Sequence, residues 1–135
     1  MRKFILMAGL VAGTSVFAAG SAGAVEIEYW QYIYETRVKA MDQLIEKFEA
    51  ANPDITVKQV TFPYADYQTR VIAANMARKG PDVMQLFYGW ADKFIGGKLV
   101  QPLDPAAFST AEIEKEFFPI VTAMKRDGKY YGLPT

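Results

Sequence analysis

The chain has 135 residues, no cysteine and no histidine, and its 15 basic residues are matched by 15 acidic ones. The missing histidine removes the commonest general base, histidine–serine triads and histidine-bearing zinc sites, and the missing cysteine removes disulfides. A balanced charge leaves no basic footprint for nucleic acid or for an anionic membrane surface.

Met1-Arg2-Lys3 is a short basic start, Phe4 to Ala19 is apolar, and Ala22-Gly23-Ala24 supplies the small-x-small pattern of a signal peptidase site. This predicts a signal peptide over residues 1–24, cut before Val25. The other reading of the stretch is an uncleaved anchor, and Gly9, Gly13, Gly20 and Gly23 make it a poor spanning helix. The remaining 111 residues, Val25–Thr135, hold 13 basic and 15 acidic side chains, a net charge of −2. Export with neither disulfides nor a lipid-accepting cysteine points to a bacterial periplasm. Ser109 is the single serine of this part, with no nucleophile-elbow glycines around it.

Val25-Glu26-Ile27-Glu28-Tyr29 alternates apolar and acidic residues, which suits a strand, and Trp30 to Tyr34 continues it with aromatics and isoleucine. Thr36 is a candidate helix cap. Val38, Met41, Leu44, Ile45 and Phe48 then fall on one helical face, and Asn52-Pro53 stops the helix. Ile55 to Phe62 is β-branched and ends at Pro63, a second strand. A second helix is predicted from Tyr64 to Lys79, with Tyr67, Val71, Ala74 and Met76 facing inward and Gly80 as the left-handed residue after its end. Asp82 to Tyr88 is almost continuously apolar, broken by Gln85, as a strand covered on both faces requires.

The order strand, helix, strand, helix, strand defines an α/β fold, an open parallel sheet flanked by helices. Such sheets bind ligands beyond the carboxyl ends of their strands, which is where Tyr88 and Trp90 fall. Further on, Ser109 to Glu112 forms a capping box and Asp127-Gly128 a hairpin turn.

Trp30 after the first strand, Phe48 to Ile55, Gly80-Pro81-Asp82-Val83, Gly97 to Asp104 and Asp127 to Pro134 form an ordered set of motifs. With the signal peptide, they make Val25–Thr135 resemble the amino-terminal part of the family 1 extracellular solute-binding proteins of ATP-binding-cassette importers, the maltose-binding-like group. The resemblance implies a periplasmic-binding-protein-like fold with two lobes closing over a ligand by hinge motion. It implies a monomeric receptor without cofactor or metal that delivers its solute to membrane permease subunits. Family members are longer, so residues 25–135 are expected to be an incomplete first lobe, ending near the first crossing between lobes. Without returning strands, an isolated piece of this kind is expected to be marginally stable or aggregation-prone.

The candidate ligand contacts lie at the three strand ends: Trp30, Tyr34 and Glu35 follow or finish the first, Tyr64 and Tyr67 follow the second, and Tyr88, Trp90 and Asp92 follow the third. Seventeen aromatic residues in Val25–Thr135 exceed what its core needs. Sugars offer C–H faces to aromatic rings and hydroxyls to carboxylates and phenols, so a mono- or oligosaccharide is the expected solute. Two other readings stand beside it. A secreted carboxylate enzyme would use Glu35 and Asp92 as a pair about 5–10 Å apart, and a truncated fragment would have no function. Arg37 and the Lys125-Arg126 pair read as solvated charges.

Overall fold

The computed structural model describes residues 25–135; the signal-peptide reading of residues 1–24 lies outside the described residues. The first strand, β1, is Val25–Tyr32, and it runs straight into α1, Glu35–Ala51. Strand β2, Ile55–Phe62, follows, then α2, Tyr64–Met76, and the two-residue strand β3, Val83–Met84. These three strands form a parallel sheet in the order β2-β1-β3, with β1 central. Val25 pairs with Ile55 and Tyr32 with Phe62, so β1 and β2 match over their full length, whereas β3 meets only Tyr29 and Trp30.

Alternation along β1 sorts its side chains to two faces. Trp30 and Tyr32 join Phe62, Met84 and Leu86 against a buried cluster of Tyr67 and Val71 from α2 and Phe94 from α3, Ala91–Gly96. Tyr29 and Gln31 lie on the other face, the side of α1. That interface is polar: Gln31 is fully buried and donates to Gln59 Oε1, and Gln59 donates to Asp42 of α1. Helix α1 itself buries no residue completely, and Leu44 and Phe48 remain exposed. Its last turn guards the sheet edge, because Glu49 Oε1 accepts from the Val57 amide at 2.7 Å.

Several boundaries differ from expectation. Helix α1 starts at Glu35 with Tyr34 as its N-cap and no side-chain cap, so Thr36 is inside the helix. Helix α2 ends three residues early, leaving Met76 exposed, and Arg78 takes the left-handed conformation (φ 56°) assigned to Gly80. At Gly80 a Cβ would lie 2.7 Å from Asn75 Oδ1, so a larger residue there would push the Asn75 side chain aside. The expected long third strand shrinks to two residues and gives way to a 3-10 turn at Tyr88–Trp90.

The carboxyl-terminal part packs as a satellite. Helix α4, Thr110–Glu116, starts at Ser109, whose Oγ accepts from the Glu112 amide at 3.3 Å and donates to Glu112 Oε2 at 2.6 Å. Strands β4, Lys125–Arg126, and β5, Lys129–Tyr130, form the hairpin, with Asp127 (φ 50°) and Gly128 (φ 75°) both left-handed, as a type I′ turn demands. Ile113, Val121 and Tyr130 are its buried centre. The Lys125 ammonium at 2.6 Å and then the Tyr130 hydroxyl hold the Glu114 carboxyl below its usual range.

Candidate functional site

Because all three sheet strands are parallel, Tyr32, Phe62 and Met84 end at one common edge. Three rings gather there. Tyr32, the last residue of β1, sits edge-on to Tyr64, the first of α2, at 5.0 Å. Trp90, closing the 3-10 turn after β3, stacks on Tyr64 at 5.6 Å with 27° between planes and lies 6.4 Å from Tyr32. Phe87 stands edge-on to Trp90 at 5.7 Å and carries Tyr88 at 4.7 Å on its far side. Tyr64 and Tyr88 are 51% and 56% exposed, and Trp90 is half-buried, so this is an aromatic wall open to solvent.

Two of the expected contacts belong below that wall. Tyr67 is 0% exposed, beneath the rings; its single hydroxyl proton is shared between Trp30 O at 2.9 Å and Gln85 O at 2.8 Å. Burial pushes its phenol well above the usual range, so it stays a neutral donor. Trp30 lies within β1, sixth of eight residues, packed on Phe62 at 4.8 Å with its Nε1 buried. Its side chain is partly buried against the core cluster. Tyr34 and Glu35, at the entry to α1, are exposed, and Glu35 lines a hollow beside that helix. Asp92, in the first turn of α3, is exposed but held by Arg126, whose Nε donates to its Oδ1 at 3.2 Å. The Lys125-Arg126 pair is thus engaged with Glu114 and Asp92 and is no bare solvated edge.

Three residues of the rim escaped the reading of strand ends: Tyr32, Arg37 and Gln85. Tyr32 was passed over because the strand was carried on to Tyr34, whereas β1 ends at Tyr32. Gln85 was legible only as a break in an apolar run. Its amide oxygen faces three donors, Arg37 Nη1 at 3.1 Å, Arg37 Nε at 3.3 Å and the Tyr32 hydroxyl at 3.3 Å, an orientation assigned from those neighbours. The rim therefore joins aromatic surface to a few fixed polar groups.

Two hollows lie away from this wall. One, about 340 Å³ and open, runs beside α1 between Ile33, Glu35, Val38 and Asp42; the other, about 200 Å³, lies in the satellite between Leu103, Phe108 and Tyr130. Among the described residues no cluster of three or more carboxylates could hold a metal ion, and no helix is long and apolar enough to cross a membrane.

A helix-flanked parallel sheet with a ring-and-amide rim at its carboxyl edge is the architecture of an α/β ligand-binding lobe. The chain belongs to the bacterial extracellular solute-binding protein family, whose profile matches residues 32–135. It is similar to an ABC substrate-binding protein from Listeria monocytogenes solved in complex with cycloalternan, at 31% identity and a TM-score of 0.61, over 81% of this chain and 28% of that one. It is similar also to the sugar-binding protein MalE from Xanthomonas citri, at 28% identity and a TM-score of 0.70, over 82% and 28% of the two chains. The GacH receptor of Streptomyces glaucescens, at 24% identity, shares the fold with a TM-score of 0.71, over 82% and 29%. The chain spans less than a third of the length of these relatives.

Proposed function

We propose that residues 25–135 are the amino-terminal part of a periplasmic receptor that captures a mono- or oligosaccharide and passes it to the permease of an ABC importer. In this reading residues 1–24 direct export and are removed, the receptor is monomeric, and no bond of the solute is made or broken. The observation that carries it is the rim of Tyr32, Tyr64 and Trp90, a solvent-open stack of rings at the edge where three parallel strands end. Rings of this kind match the C–H faces of a pyranose, and Tyr34, Glu35 and Tyr88 stand near enough in sequence to supply hydroxyl partners. Relatives whose names record cycloalternan or sugar binding support the same class of solute. The engagement of Asp92 with Arg126 speaks against a Glu35–Asp92 catalytic pair.

Calorimetric titration of the complete protein tests this with a panel of maltotriose, a cyclic gluco-oligosaccharide, an organic phosphate and spermidine. Saturable heat with a saccharide is expected. Binding of the phosphate or the polyamine alone overturns it.

A further inference from the structure

Gln85 is buried in the loop that leaves β3, and its main chain is fully occupied: its N–H donates to Trp30 O at 2.8 Å and its carbonyl accepts from Tyr67. Only its side chain faces the rim. There its Oε1 is shared between the Tyr32 hydroxyl and two N–H groups of Arg37. Arg37 comes from the first turn of α1, and its remaining donors reach the far end of the described chain. Nη1 donates to Thr135 Oγ1 at 2.5 Å and Nη2 to Thr135 O at 3.4 Å. One planar fork thus touches segments 48 and 98 residues away from it in sequence.

We propose that Arg37 is a positioning residue for the rim. Acting through Gln85, it fixes the direction of the Tyr32 phenol, and so the attitude of the ring that meets Tyr64 and Trp90. The same guanidinium reaches Thr135. A buried amide oxygen that lost Arg37 would be left with the Tyr32 hydroxyl alone, and the loop and the ring would both gain freedom. Lysine keeps the charge but has no flat fork, and it cannot serve Gln85 twice and Thr135 together. The proposal rests on the receptor reading of the rim.

The test uses the complete protein with Arg37→Gln, Arg37→Lys, Tyr32→Phe and the double variant Tyr32→Phe/Arg37→Gln. Maltotriose affinity is read by calorimetry, and amide hydrogen exchange is read without ligand. Arg37→Gln and Arg37→Lys are each expected to weaken maltotriose about tenfold, the scale of a charge-assisted hydrogen bond. The double variant should lose less than the sum of the single losses, because both groups act on one acceptor. Exchange over residues 131–135 and 84–88 should quicken while α2 stays protected. Wild-type affinity in Arg37→Lys, or additive losses in the double variant, overturns the proposal. If the wild type ignores maltotriose, the saccharide reading fails separately. The exchange data then decide: unchanged rates in Arg37→Gln overturn the positioning role, and selective quickening supports it.

Discussion

The hydroxyl of Tyr67 ends the strand that its own ring lies beneath. It bonds both Trp30 O and Gln85 O at the point where the β1–β3 ladder would add its next rung. Tyr67→Phe removes this bridge from a fully buried place and is expected to cost about 1–2 kcal/mol of stability in urea unfolding. Its phenol ionises above the ordinary value of about 10 because burial penalises the charged form. The folded state therefore keeps a proton that the unfolded chain releases. The stability tied to this group is complete below the unfolded pKa of about 10 and is lost as pH rises beyond it. The wild type should weaken more steeply than Tyr67→Phe above that pH, and parallel curves would contradict the assignment. In the sequence, Tyr67 at the fourth position of a helix following a strand read equally as inward-facing residue and as ligand contact. Hydrogen-bond geometry separates the two, and no spacing rule carries that information.

At the scale of elements, the strand–helix–strand–helix order was legible because each segment carries its period. β-branched residues mark β2, three- and four-residue steps mark α1 and α2, and Asn52-Pro53 marks a stop that falls within one residue of the helix end. What escaped depends on contacts distant in sequence. β3 is short because Tyr67 intervenes, and Trp30 packs against the core from within β1, which pairs with β2 as far as Tyr32. The capping box at Ser109 and the Asp127-Gly128 turn were readable since both are local chemistry. Ser109→Ala should cost about 1 kcal/mol by removing the Oγ that accepts from Glu112 N, measured by thermal unfolding with Ser109→Thr as the conservative control. Equal stability of Ser109→Ala and wild type would show that α4 is held by Ile113 packing alone.

Across the whole molecule, two faces of the sheet do different work. The face under α2 and α3 is apolar and aromatic and supports the rim from below. The face under α1 is a chain of amides, and α1 leaves Leu44 and Phe48 exposed. Phe118 and Ile120 add exposed apolar side chains on the satellite. In the proposed receptor a saccharide ring docks against Trp90, while Trp30 lies in the layer beneath. Each can be read by difference, as the part of the wild-type emission change that its own Phe variant loses. The decisive measurement titrates Trp30→Phe and Trp90→Phe with the saccharide that calorimetry identifies. Trp30→Phe is expected to keep the wild-type saturable emission change, and Trp90→Phe to lose the part of it that Trp90 reports. Binding that leaves Trp90 emission untouched while Trp30 responds would contradict it.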